Sequence, residues 1–154
     1  MKPRLPLILA AVVFCLVTWR LWPRGALSPE EEIRALVARC VTAAEERELG
    51  VITEAMAPRF TGPQGASRDE VKGVLLGLLM RNREIVGVFN PSLDVTVDAP
   101  DRAHLSGKFV FARAKAKSLD GVPEGGVLSS YRIDAELEKA EGKWRFTRAD
   151  ARQD

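Results

Sequence analysis

Apolar and polar residues alternate through the second half of this chain. Leu93, Val95 and Val97 share one phase, followed by Ala103, Leu105, Phe109 and Phe111, then Tyr131, Ile133, Ala135 and Leu137, then Trp144 and Phe146. A period of two marks strands with one buried and one wet face, so residues 93–151 read as an antiparallel meander. Ala99-Pro100-Asp101, the glycine-rich stretch Ser118 to Gly126, and Glu141-Gly142 supply its turns. A short apolar run, Ile85 to Phe89, leads in and is cut off by Asn90-Pro91-Ser92. Beyond Phe111 the pattern slips: Ala112, Ala114 and Ala116 continue the apolar set one residue out of step, with Arg113, Lys115 and Lys117 on the other face. A β-bulge near Phe111 accounts for the slip, and a bulged long strand curls a sheet around a cavity.

Upstream the period changes to that of helices. Ser28-Pro29-Glu30-Glu31 is a capping box with proline at the first helical position. Ile33, Leu36, Val37, Cys40, Val41 and Ala44 follow at helical spacing, with Gly50 as the expected stop. Val51 to Ala57 predicts a short second helix ended by Pro58, with Phe60 anchoring the loop beyond it. Ser67 and Glu70 repeat the capping-box spacing, and Val71, Val74, Leu75, Leu78 and Leu79 make the stripe of a third helix ending near Arg81. The fold class is therefore α+β: three helices covering the apolar face of a strongly bent antiparallel sheet.

Residues 1–24 stand apart. Lys2 and Arg4 precede an uncharged stretch from Leu5 to Trp19, and 5–22 as a helix would span roughly 27 Å, just short of a bilayer's hydrocarbon core. Trp19, Arg20 and Trp22 suit the membrane interface. A cleaved secretory signal is the rival reading, but Thr18-Trp19-Arg20-Leu21-Trp22-Pro23-Arg24 resembles no small-residue cleavage site. Phe14 before Cys15 argues against a lipoprotein. We therefore expect a single membrane helix at 1–24, a joint at 25–27 and a domain over 28–151, with the domain periplasmic or extracytoplasmic.

Charge then changes meaning. Of 23 Lys and Arg residues, four flank the apolar segment, which leaves 19 basic groups against 21 acidic ones in the body. Without a basic stripe the body does not read as a nucleic-acid binder. Two distant cysteines, Cys15 and Cys40, give no disulfide framework, and with one histidine there is no zinc spacing. No nucleophile elbow or phosphate loop occurs, so no cofactor is expected.

The helix start at Ser28 to Ile33, the Ser67-Arg68-Asp69-Glu70 entry and the closing Glu141–Asp150 strand, EGKWRFTRAD, together resemble the nuclear transport factor 2-like superfamily, also called cystatin-like. The resemblance covers about residues 28–151 and implies a cone-shaped α+β fold. It also implies a range of functions, from isomerases and dehydratases to non-catalytic domains, so it does not settle this chain's role. An anchor plus such a domain is similar in architecture to an inner-membrane component of type IV secretion machines.

Enzymes of that superfamily place an acid or base in the cavity between helices and sheet. The predicted cavity stripes of this chain hold none apart from Tyr131. His104, the only histidine, falls on the wet face of its strand. Tyr131 is expected in the core or at the cavity rim, and Arg113 is the other candidate for the cavity mouth, although the bulge favours its wet face. The basic strip Arg113, Lys115 and Lys117 reads as a solvated strand face, with an acidic partner or lipid headgroups as the alternative. The six glutamates of the first helix and its end read as helix-dipole partners or solvated surface. The expectation is a membrane-tethered, non-catalytic domain binding a protein partner or a small apolar ligand. The alternatives are a small isomerase or dehydratase, and a structural domain that homodimerises through its sheet.

Overall fold

The structure, a computed structural model, describes residues 25–154. Both capping boxes form. The Ser28 amide donates to Glu31 (2.7 Å), whose own amide donates to the Ser28 hydroxyl (3.2 Å), and α1 runs Pro29–Glu46. It buries Ile33, Leu36, Val37 and Ala43. Arg47, not Gly50, ends it, with a left-handed backbone at φ 62°. The Arg47 guanidinium donates to the carbonyls of Leu79, Arg83 and Ile85. The orphan carbonyls that end one helix are thus capped by the residue that ends another.

Gly50 falls inside α2 (Leu49–Glu54). The expected helix to Ala57 stops early, and Met56–Thr61 forms a strand, β1, with Phe60 buried in it and not in a loop. Met56 and Phe60 are four residues apart, a spacing that helix and strand share, so the local pattern could not separate them. The free edge of the last strand decided the matter: β1 pairs with it in parallel, and the Phe146 amide donates to the Ala55 carbonyl (2.8 Å). Pro58 is tolerated because β1 is an edge strand.

After a single 3-10 turn at Pro63–Gly65 comes α2's successor, α3 (Arg68–Arg81). Then follow β2 (Gly87–Ala99), β3 (Arg102–Ala112), β4 (Val127–Ala140) and β5 (Lys143–Gln153). The sheet therefore has five strands, not four, in the order β1-β5-β4-β3-β2. Glu141 and Gly142, with φ of 53° and 74°, close the β4–β5 hairpin in the primed-turn region that matches strand twist.

The antiparallel ladders shift register at four places; apart from the one at the β2–β3 turn, between Val97 and Ala99, three extra residues bend the sheet. Asn90-Pro91-Ser92 does not break the chain into two strands; β2 runs through it with one extra residue, since Val88 pairs with Phe111 but Leu93 with Gly107. Pro91 has no amide to give, and the Asn90 side chain supplies a donor instead, to the Lys108 carbonyl (3.0 Å). The slip near Phe111 is present, but its extra residue sits on the partner strand: Phe111 pairs with Ser129 and Ala112 with Val127, leaving Leu128 unpaired. A third extra residue is Thr147 in β5. β3 ends at Ala112, so Arg113, Lys115 and Lys117 belong to a loop and do not form a strand face.

The core packs Ile33, Leu36 and Val37 of α1 against Ala103, Leu105, Ala135, Leu137 and Trp144 of the sheet. Every residue of that cluster lies between Ile33 and Ala149, so the described residues carry a hydrophobic core of their own, as an independently folding unit requires. The third helix departs from expectation. Only Leu79 of it is buried, while Val74 (66%) and Met80 (62%) are exposed. The expected stripe of Val71, Val74, Leu75, Leu78 and Leu79 is therefore not a buried face; with Leu76 and Met80 the apolar residues run almost all the way round, and helical spacing alone picked a stripe that packing does not use. The expected membrane helix, with Trp19, Arg20 and Trp22, lies outside the described residues. Among the described residues no helix is long and apolar enough to cross a membrane.

Candidate functional site: an apolar cavity under the first helix

Between α1 and the curled sheet lies a cavity of about 190 Å³. Its roof is one stripe of α1, Val37, Cys40, Val41 and Ala44, with Ile52 of α2 alongside. Met56 and Phe60 of β1 and Val88 of β2 close its sides. The sheet supplies the floor, through Leu105, Phe109 and Phe111 of β3, Ile133 and Ala135 of β4, and Phe146 and Ala149 of β5. The β2 bulge brings Val88, which lines the cavity, and Leu93, which packs on the core beyond the bulge, to the same inner face although they are five residues apart.

The Cys40 thiol is the wall's only group with a titratable proton. Burial pushes it up to about 11, so it stays protonated and unreactive near neutral pH. Among the described residues no cluster of three or more His, Cys, Asp and Glu side chains could hold a metal ion.

Tyr131 adjoins the wall on the same face of the sheet without lining the cavity. It meets Phe111 edge to face with ring centroids 5.9 Å apart, and it pairs with Phe109 across the β3–β4 ladder. Arg113 is exposed and ion-paired with Glu84 (2.9 Å). His104 is exposed on the outer face and pairs with Asp98 (2.9 Å).

The sequence reading missed two glutamates of α1. Glu32 was read as a dipole partner, yet its carboxylate accepts from the Trp144 indole (2.8 Å) and from Lys139 (2.7 Å). The Lys139 hydrogen bond holds the Glu32 carboxyl below its ordinary value, with the indole adding to it against partial desolvation. Glu45 accepts from the Val88 amide (2.8 Å) and so ties the far end of α1 to β2. Both are half-buried and committed to partners on the sheet. Together they hold the roof of the cavity on the sheet, and only the packed structure brings their partners near.

No family model and no curated protein sequence matches this chain. Solved structures do. An uncharacterised protein with a cystatin-like fold from Caulobacter vibrioides superposes with a TM-score of 0.60 at 17% identity, covering 81% of this chain and 89% of that one. A nuclear transport factor 2-like protein from Cytophaga hutchinsonii gives 0.59 at 10% identity, with 83% and 100% covered. A candidate scytalone dehydratase from Novosphingobium aromaticivorans gives 0.62 at 14% identity, with 80% and 82% covered. At these identities the likeness speaks for the fold alone. With a long helix cradled by a bulged five-stranded sheet, the chain has the nuclear transport factor 2-like, or cystatin-like, fold.

Proposed function

We propose that this chain is a membrane-tethered, non-catalytic domain that takes a small apolar ligand into the cavity under α1. Residues 5–22 are the tether and the body faces the extracytoplasmic side. The observation that carries the ligand reading is the wall itself: fifteen residues line the cavity and none is a carboxylate, imidazole or phenol. Proton-transfer chemistry needs an acid or base within hydrogen-bond reach of the reacting atom, and such a wall offers only van der Waals contact. At about 190 Å³ the space suits one ring or a short branched chain, since a dry cavity of about 150 Å³ holds benzene.

Methyl-resolved nuclear magnetic resonance on residues 25–154 tests the ligand reading. Benzene or toluene should give saturable shifts at Ile133 and Val41, and Ala135→Leu, which fills the space, should abolish them. Shifts that persist unchanged in that variant would place the ligand elsewhere and sink the proposal. The tether is tested separately, by membrane fractionation and the mass of the mature N-terminus. A chain beginning near Ala26 or Leu27 would mean a cleaved signal.

A further inference from the structure

A second concavity among the described residues is an open groove of about 840 Å³ that runs along α1 from Glu32 to Arg39. Its floor is apolar and buried: Leu36, Ala55, Met56 and Trp144. Its rim carries four cations, Arg39, Arg68, Lys143 and Arg145, against two carboxylates, Glu32 and Glu54. Glu32 is already committed to Lys139 and Trp144. Among the described residues none of the four cations lies within ion-pair distance of a carboxylate, whereas Arg34, Arg59, Arg113, Arg148 and Arg152 all do. The Arg68 guanidinium is held in place by the Thr53 carbonyl (2.7 Å) and keeps N–H donors to spare.

Leu27 also lines this groove. It lies five residues beyond Trp22, the end of the apolar segment, a reach of at most about 18 Å. If residues 5–22 cross a bilayer, the groove is held at the level of the lipid headgroups. The other basic cluster, Arg113, Lys115 and Lys117, follows the far end of β3. Ten residues of strand, or about 33 Å, lie between Arg102, beside the groove end of the sheet, and Ala112. A charge that far from the bilayer is beyond the screening length of about 8–10 Å.

We infer that this groove seats the phosphate headgroup of an anionic phospholipid, with the four cations around the phosphate and the Trp144 floor beneath its glycerol and first acyl carbons. The inference rests on the tether of the proposed function and is independent of the cavity ligand. Docked in this way, the domain would sit upright on the membrane with α1 pointing away from it.

The test is flotation of residues 25–154 with vesicles, so that headgroup binding is read without the tether. Binding should appear with phosphatidylcholine vesicles containing phosphatidylglycerol, be absent with phosphatidylcholine alone, and weaken as salt rises. K143E/R145E should lower it at least about ten-fold, since each basic side chain near an anionic surface contributes about 1 kcal/mol. R113E/K115E should change it less than about two-fold, and circular dichroism confirms that both variants fold. Equal losses from the two double variants, or none from either, would overturn the inference. Binding of soluble glycerol 3-phosphate as tight as that of the vesicles would overturn the lipid assignment in favour of a free phosphate ester. A cleaved N-terminus with vesicle binding intact would remove the tether but leave the headgroup site standing.

Discussion

The Trp144 indole donates to the Glu32 carboxylate across 2.8 Å, joining the first turn of α1 to the start of β5. The same oxygen accepts from Lys139 at 2.7 Å, and the Lys139 ammonium stands 5.8 Å from the Trp144 ring centroid. One carboxylate thus fixes the helix to both strands of the closing hairpin. Glu32→Ala strands a buried indole N–H, while Glu32→Gln keeps an acceptor for it. Thermal melts should rank wild type above Glu32→Gln and Glu32→Gln above Glu32→Ala. Equal midpoints for the two variants would show that the indole bond contributes nothing.

The same carboxylate gives stability a pH dependence. Glu32 is held below its ordinary 4.5, first by Lys139, and Glu31 and Glu70 are held below it by their capping serines. Groups depressed in the folded state contribute stability that is present above the unfolded value and lost as pH falls through the folded one. Denaturation midpoints should therefore be flat down to about pH 4.5 and fall below it. The curve of Glu32→Gln should lie under that of wild type at pH 7 and converge on it in acid. A constant gap across that range would contradict the assignment.

Leu137 is 1% exposed and Ile33 fully buried where α1 meets the sheet. Truncating either to alanine should cost about 2–5 kcal/mol, from lost transfer free energy and the void left behind. Urea denaturation measures it. Met80→Ala, at an exposed site on α3, should stay within about 0.5 kcal/mol of wild type, whereas Leu79→Ala on the same helix should behave as a core truncation.

At the β2 bulge, Asn90→Ala removes the donor that replaces the missing Pro91 amide. The expected cost is about 0.5–1.5 kcal/mol. Amide exchange should accelerate around Lys108 and remain slow in β4. Uniform acceleration would mean that the bulge has no local role.

Cys40 is the only cysteine of residues 25–154. With its thiol pushed up to about 11, alkylation by iodoacetamide should be slow at neutral pH and rise through the whole alkaline range. An apolar ligand in the cavity should slow it further. Rapid labelling at pH 7, indifferent to ligand, would show that the thiol is open to water.

The sequence by itself determined the elements whose signals are local. Ser28 with Glu31, and Ser67 with Glu70, start two helices because a capping box is complete within four residues. The inner phase of β3 and β4 follows from alternation alone. Three things were decided only by tertiary structure. Met56 to Thr61 became a strand because β5 had an edge to pair with. Glu32 and Glu45 became fastenings because Trp144, Lys139 and Val88, distant in sequence, were brought to them. The face presented by α3 was set by its packing on β1 and α2, since a helix apolar nearly all round offers several stripes at helical spacing and the one chosen from sequence is not the buried one. Local patterns record the hydrogen bonds a segment makes with itself, whereas pairing, capping at a distance and shallow burial depend on partners that the chain acquires only on folding.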